Sequence, residues 1–302
     1  MTRTVPFDEA GIAEAAALVR AGHPVAVPTE TVYGLAADAT SADAVALIYA
    51  AKGRPSFNPL IVHVPDFEAA ELLGTFDDQA SLLAEAHWPG PLTIVVPARP
   101  DNGIASLVTA GLQTIAIRVP AHPAMQALLA ACGRPLAAPS ANASGRISPT
   151  RAAHVLASLN GQIPLIIDGG ATQRGIESTI VAATGGALRL LRRGPIEVDA
   201  AMSLGEIEAP GMMASHYAPS KPLRLDATEA RDGEYLIGFG SVTGDASLSE
   251  SGDLTQAATR LFDLLHLADA SAKPRIAIAP IPGNGIAAAI RDRLTRAVAP
   301  RA

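Results

Sequence analysis

The chain has 302 residues, 49% hydrophobic and only 17% charged, which excludes a disordered protein and allows two domains with well-filled cores. Aromatic residues make up 4%, so those cores must be built from Ala, Val, Leu and Ile. The formal net charge of −6 argues against a general nucleic-acid binder, although a local basic pocket is invisible in the total.

In chain order, residues 8–21 read as a helix with Asp8 as N-cap and Gly22 as stop, followed by a short strand at Val25–Val27. Ser41 caps a second helix that runs through Val45 and Ile48 to Lys52 and stops at Gly53. Leu60–Val64 is a continuous apolar run of the kind a buried strand gives. Helices are expected at Asp66–Leu73 and Asp78–His87, after which Trp88-Pro-Gly-Pro91 breaks the chain before a strand at Leu92–Val96. Strands at Thr114–Val119 and Leu136–Pro139 enclose a helix at Pro123–Cys132. Ser148 with Pro149 at N1 predicts a helix to about Leu159. A strand at Pro164–Ile167 leads into Asp168-Gly-Gly170, and Thr179–Ala183 and Ala187–Leu191 flank Thr184-Gly-Gly186 as a hairpin. Strands and helices mix here without strict alternation, which implies a mixed sheet with helices packed on it. Residues 195–222 carry Pro and Gly without a period, and Ala209–Pro219 reads as a linker whose Met, His and Tyr are unusual for a passive spacer. Strands at 222–226, 235–239 and 275–279, with helices at 253–268 and 285–298, predict a small α/β domain.

Cys132 is the single cysteine, so no internal disulfide and no cysteine-rich zinc site can form. It follows Leu128-Leu-Ala-Ala131 and reads as a small buried hydrophobe. The seven histidines show neither H-E-x-x-H nor a paired spacing, which leaves no dedicated zinc site. The start, MTRTVPFDEAG, has no apolar h-region, and no apolar run reaches the ~20 residues of a membrane span, so a cytoplasmic protein is expected.

Residues 28–63 carry the strongest chemical signal. A Thr-Glu-Thr turn follows an apolar strand, Lys52 and Arg54 straddle Gly53, and Asn58-Pro59 opens the strand that holds His63. Fixed cations at element ends suit a polyanion, phosphate first, and Arg118, Arg192 and Arg193 join them at other element ends. Ordinary surface cations are the competing reading. No G-x-x-x-x-G-K-[ST] exists, so ATP would not bind through a P-loop. Gly283-Asn-Gly-Ile-Ala-Ala288 imitates a dinucleotide fingerprint, but no second strand and acidic residue follow it, and a tight strand-to-helix turn is the better account. Pro139-Ser-Ala-Asn-Ala-Ser-Gly145 lacks a G-x-S-x-G elbow and a local base, which favours ligand hydrogen bonding by Ser140 and Asn142 over nucleophilic catalysis.

Taken together these segments resemble the threonylcarbamoyl-adenylate synthases of the Sua5/YrdC type. The resemblance rests on Pro28-Thr-Glu-Thr-Val-Tyr-Gly-Leu35, Lys52-Gly-Arg-Pro55, Asn58-Pro-Leu-Ile-Val-His63, Trp88-Pro-Gly-Pro-Leu-Thr93 and Ile117-Arg-Val-Pro120. It continues through Ala138–Gly145, Ser148-Pro-Thr150, Asp168-Gly-Gly170, Glu177-Ser-Thr-Ile180 and Leu191–Gly194 to Pro210-Gly-Met212 and His216-Tyr-Ala-Pro219. It implies an α/β protein: a YrdC-like mixed twisted sheet with packed helices over 1–204, a linker or lid over 205–221, and a smaller C-terminal Rossmann-like α/β domain over 222–302. The implied activity is nucleotidyl transfer, in which L-threonine, bicarbonate and ATP give threonylcarbamoyl-AMP and pyrophosphate for the t6A modification of tRNA. The resemblance puts threonine near Thr31, His63, Arg118, Ser140 and Ser178. It puts ATP near Lys52, Arg54, Asn58, Thr114, Asn142, Thr150, Arg192 and Tyr217, with Lys52 and Arg54 offsetting phosphate charge together with Mg²⁺. A downstream t6A-transferase machinery is the implied partner. Arg193 stands where Pro is frequent, and would either add a cation or face solvent; Ala36 stands where Gly is frequent. Two competing functions stand beside it: an RNA-binding module, since the resemblance also implies a fold with a concave basic face that could accept duplex RNA or tRNA, and a carbamoyl transferase with another acceptor.

Overall fold

In a computed structural model, residues 1–203, 208–210 and 215–300 are described. The larger domain runs β1 (Arg3–Pro6), α1 (Glu9–Arg20), β2 (Val25–Pro28), β3 (Tyr33–Asp38), α2 (Ala42–Lys52), β4 (Ile61–His63), α3 (Phe67–Glu71) and α4 (Asp78–His87). It continues β5 (Leu92–Pro97), α5 (Ser106–Thr109), β6 (Thr114–Arg118), α6 (Pro123–Cys132), β7 (Leu136–Ala137), α7 (Ala152–Leu159), β8 (Leu165–Asp168), β9 (Thr179–Ala182), β10 (Arg189–Arg192) and β11 (Ala201–Met202). These strands form one mixed sheet in the order β1-β8-β2-β3-β7-β4-β6-β5-β9-β10-β11.

Strand alternation sends side chains to two cores. Val25, Val27, Leu165 and Ile167 meet Ala15 and Val19 of α1 and Leu128 of α6 on one face. Ala26 and Ile166 point the other way, into the core of Val45, Ile48, Ile94 and Ile117. The near absence of aromatics leaves these interiors aliphatic, as the composition requires. Asp8, Ser41, Asp66 and Asp77 each cap a helix by accepting a backbone N–H, and Gly53 closes α2 in the left-handed conformation.

Several elements depart from the sequence reading: β1, β3, α5 and β11 have no counterpart in it, and α7 starts late. Tyr33–Asp38 is a fully buried central strand, although Gly, Ala and Asp are poor strand formers; pairing with β2 on one side and β7 on the other imposes it. The helix expected from Ser148 begins only at Ala152, with no side-chain cap at Arg151. Ser148 is spent elsewhere, because its hydroxyl donates to Glu177.

The smaller domain comprises β12 (Leu223–Arg224), β13 (Glu234–Gly238), β14 (Ala246–Ser247), α8 (Leu254–Ala270), β15 (Arg275–Ile278) and α9 (Ile286–Val298). Its sheet, ordered β12-β15-β13-β14, is parallel throughout, and α8 and α9 bury Leu261, Phe262, Leu265, Ile290 and Leu294 with Ile237 and Ile276. Gly283-Asn-Gly285 is a strand-to-helix turn, and the carboxylate of Glu197 lies against Gly285. The core of this domain continues into the larger one through Val32, Ile147 and Ile176. At Gly175, φ is +70°, and a Cβ would overlap the carbonyls of Ala258 and Thr259, so α8 lies directly on the turn that precedes β9. Arg151–Asp263 at 2.6 Å and a stacked His154–His266 pair at 3.8 Å add to the same junction. Of the linker expected over 205–221, residues 205–207 and 211–214 lie outside the described residues. Among the described residues, no helix is long and apolar enough to cross a membrane.

Candidate active site

The ends of several strands converge on one pocket. Thr29, Thr31 and Val32 come from the β2–β3 turn, Arg54 from the end of α2, His63 from β4 and Arg118 from β6. Pro139 and Ser140 follow β7, Glu177 and Ser178 precede β9, Arg192 ends β10, and Pro210, His216 and Tyr217 enter from the linker. The parallel β4–β6 register sets His63 beside Arg118. Thr29 shapes the first turn: its hydroxyl donates to the Val32 carbonyl at 2.7 Å and accepts the Thr31 N–H at 3.2 Å.

The cations fall into two kinds. Arg118 is buried and already paired, with Nη2 2.6 Å from Glu30 Oε1, Nη1 donating to the Thr31 hydroxyl at 3.0 Å and Nε to the Gly90 carbonyl at 3.2 Å. Burial alone would raise the Glu30 carboxyl, but Arg118, with backbone N–H groups such as that of Ala121, outweighs it and holds the group below its usual range. Lys52, Arg54 and Arg192 meet no carboxylate among the described residues. Lys52 Nζ donates to the carbonyls of Ser140, at 2.5 Å, and Asn142. Arg54 donates to the carbonyls of Asn58 and Pro59 at 3.2 and 2.9 Å. Arg192 donates to the Ser178 carbonyl and hydroxyl at 3.0 and 2.9 Å and to the Pro210 carbonyl at 3.3 Å.

Burial, and then the neighbouring Arg54, push Lys52 well below its usual pKa. Burial pulls Arg54 down to about 10 and lowers Arg192. A buried charge without a counter-charge is unfavourable unless a ligand supplies one. Arg54 and Arg192 line one space, with Lys52 behind its wall, and together they call for a ligand with several negative charges.

Unpartnered polar atoms point the same way. His63 Nδ1, Asn142 Oδ1, His216 Nδ1 and the Tyr217 hydroxyl are buried without a hydrogen-bond partner among the described residues. Buried polar groups are nearly always satisfied, so a cluster of exceptions marks a place where something else bonds. Burial and the Arg118 charge push His63 down to about 3, and burial with Arg54 and Lys52 pushes His216 well below its usual value. Both rings are therefore neutral at physiological pH.

All five residues expected near threonine, Thr31, His63, Arg118, Ser140 and Ser178, line this pocket. Of those expected near ATP, Arg54, Arg192 and Tyr217 line it. Lys52 sits behind the Ser140–Asn142 loop and holds it by both carbonyls, and the Asn58 carbonyl accepts from Arg54 and so fixes that guanidinium. Neither Asn142 nor Thr150 lines the pocket: Asn142 donates to the Ala143 and Arg146 carbonyls, and the Thr150 carbonyl accepts the Thr172 N–H. Thr114 opens β6 at the end away from Arg118, about 13 Å along the strand. Arg193 is exposed and lies by Glu197 and Gly285 in a separate small cleft, outside the main pocket.

Sequence reasoning gave no role to Glu30 or Glu177, although both lay within quoted motifs. A carboxylate flanked by hydroxyls between two apolar strands was the available signal for Glu30.

A large mixed sheet with a buried cationic pocket, joined to a small parallel α/β domain by a linker that enters the pocket, defines a two-domain α/β ligand-binding protein. A family profile described as "Telomere recombination" (Sua5, YciO and YrdC) matches residues 17–194, and one described as "Threonylcarbamoyl-AMP synthase, C-terminal domain" matches residues 172–299. A Bacillus subtilis protein named threonylcarbamoyl-AMP synthase is 39% identical over 100% of this chain and 96% of its own length. A Pyrococcus abyssi protein of the same name is 37% identical over 96% and 95%. The crystal structure of P. abyssi Sua5 complexed with L-threonine superimposes with a TM-score of 0.85 at 35% identity, covering 99% of this chain and 97% of that one. Escherichia coli YciO, 21% identical with a TM-score of 0.58 over 66% of this chain, shares the fold of the larger domain. The chain belongs to the Sua5/YciO/YrdC family, in the form that carries the Sua5 C-terminal domain.

Proposed function

We infer that the protein is a threonylcarbamoyl-AMP synthase, condensing L-threonine, bicarbonate and ATP to threonylcarbamoyl-AMP and pyrophosphate. The observation that carries this reading is a pocket lined by the buried Arg54 and Arg192, with Lys52 behind its wall, none of them paired with a carboxylate among the described residues, beside a neutral His63 and an arginine suited to an amino-acid carboxylate. Threonine's amine and bicarbonate give a carbamate and water. A carbamate oxygen then attacks the α-phosphorus of ATP, the bond to the bridging oxygen breaks, and pyrophosphate leaves. Such a transfer depends on alignment and charge neutralisation more than on a strong base. Arg54 and Arg192 offset phosphate charge, and Lys52 fixes the Ser140–Asn142 loop and adds its own charge behind it.

On the threonine side, Thr31, His63, Ser140 and Ser178 supply hydrogen bonds. Arg118 has used three of a guanidinium's five N–H groups within the protein, which leaves two for a carboxylate. Glu30 and Glu177 are each committed to an arginine, and no cluster of three metal-binding side chains exists among the described residues. In this reading Mg²⁺ enters as part of the nucleotide substrate.

With His216 and Tyr217 in place, about 50 Å³ of the pocket stays free, room for one or two waters and far below a nucleotide. The linker must withdraw to admit ATP and return to exclude the water that would hydrolyse the carbamate and the mixed anhydride. The test is pyrophosphate release, with mass-spectrometric detection of the adenylate. Release is expected only when threonine and bicarbonate are both present, and release that persists without either one would overturn the reading.

A further inference from the structure

Arg293 is the largest fully buried side chain among the described residues, and it belongs to α9 of the smaller domain. It falls on the helix's buried stripe with Ile290, Leu294 and Ala297, a position where an apolar residue is the ordinary choice. Burying a guanidinium there is tolerable only because each of its nitrogens has an acceptor. Nε donates to Glu177 Oε2 at 3.0 Å, Nη2 to the Glu177 carbonyl at 3.5 Å, and Nη1 to the Arg193 carbonyl at 2.7 Å and Asp292 at 3.1 Å. Apart from the adjacent Asp292, every acceptor lies in the larger domain, on the two turns that carry Ser178 and Arg192 into the pocket.

The same guanidinium lies 5.4 Å from the centre of the Tyr217 ring, within cation–π range. Tyr217 has φ +65°, a conformation that residues other than glycine rarely hold without support from their surroundings. That support comes largely from the smaller domain. Phe262 of α8 stacks on the ring at 5.7 Å, the His216 N–H donates to the Arg296 carbonyl at 3.2 Å, and the Ser215 hydroxyl donates to the Ala299 carbonyl at 3.3 Å. On the other side, the Ala218 N–H donates to the Gly145 carbonyl at 2.8 Å. The linker is thus strapped along the C-terminal half of α9, one turn beyond Arg293.

We propose that Arg293 is a positioning residue through which the smaller domain holds Tyr217 over the pocket and Glu177 in its wall, so that this domain is a working part of the site. Closure of the linker and docking of α9 are then one event. The kinetic consequence rests on the synthase reading, whereas the structural consequence for the linker does not.

The test uses the full chain. Arg293→Met combined with Glu177→Gln removes one buried charge of each sign and so adds no unpaired one, and Glu177→Gln alone, in which Arg293 keeps Asp292, is its reference. Hydrogen exchange is read first, without substrates. In the double variant, the amides of His216 and Ala218 exchange roughly tenfold faster than in the reference, while those of Leu261–Leu265 in α8 keep their protection. Arg293→Lys, which keeps a cation against Glu177, recovers part of the lost protection. Pyrophosphate release is read second. In the double variant kcat falls roughly tenfold below the reference while the KM for threonine stays within about threefold. Unchanged exchange at His216 and Ala218 would overturn the proposal, and so would loss of protection in the linker and α8 together, which would make Arg293 simple interdomain adhesive. A wild-type protein that releases no pyrophosphate would refute the synthase reading alone, and the exchange result would still decide the role of Arg293.

Discussion

Replacing Glu30 with glutamine separates the structural from the ligand-binding duty of Arg118. The pair is buried on both sides, 4% and 5% exposed, with nitrogen and oxygen 2.6 Å apart, and the second carboxylate oxygen accepts the Ala121 N–H at 3.2 Å. Removing one partner of a buried pair typically costs about 3–5 kcal/mol, because the other charge stays behind. Glutamine retains an acceptor, so the lower figure, about 3 kcal/mol, is expected, which in a domain of this size lowers Tm by roughly 6–12 °C. The pH dependence carries a second signature. Arg118 holds the Glu30 carboxyl below its usual 4.5, so the pair's stabilisation is complete above that value and is lost as pH falls through the lower, folded one. The deficit of Glu30→Gln should therefore be full at pH 7 and close in acid. Calorimetry over a pH series, with and without L-threonine, checks both points. If Arg118 receives the threonine carboxylate, the amino acid raises the Tm of the variant more than that of the wild type. A variant within 2 °C of wild type at pH 7 (about 1 kcal/mol or less), or a deficit that persists in strong acid, would refute the reasoning.

Tyr217→Phe removes a buried hydroxyl that has no partner among the described residues, so Tm should hold or rise, while kcat/KM for ATP falls about tenfold; calorimetry and the pyrophosphate assay read the two effects. Gly175→Ala places a methyl group against the Ala258 and Thr259 carbonyls at a positive φ, and should convert a single thermal transition into two as the domains undock. His63, pushed to about 3, His154, pushed to about 4, and His216 are all held neutral in the fold, chiefly by burial. Each takes up a proton on unfolding first, so stability should fall as pH drops below 6.5, by up to about 1.4 kcal/mol per unit per histidine. His63→Asn should flatten that slope, and an NMR titration showing His63 protonated near pH 6 would contradict it.

Most of the element list was legible because the signals are local. Asp8, Ser41 and Gly53 announced helix ends, and alternating or continuous aliphatic runs announced β2, β4, β5 and β8. β3 escaped because its residues have no strand preference of their own, and only the two flanking strands make it one. The start of α7 escaped because Ser148, a good local cap, finds a stronger partner in Glu177, which is distant in sequence. Lys52 shows the limit for the site: its motif marked it as important, but only the fold puts it behind the Ser140–Asn142 loop.

The sequence by itself determined which residue types reach the pocket, since Thr31, Arg54, His63, Arg118, Ser140, Ser178 and Arg192 all sit at or beside the ends of elements with recognisable local patterns. Tertiary structure decided which charges are already spent. Arg118 is neutralised by Glu30, Glu177 by Arg293, and Lys52, Arg54 and Arg192 by no described carboxylate. It also decided that the smaller domain reaches the pocket through one buried arginine and a strapped linker. Charge compensation depends on distances between residues roughly 90 to 115 positions apart, and no local pattern in the chain encodes such distances.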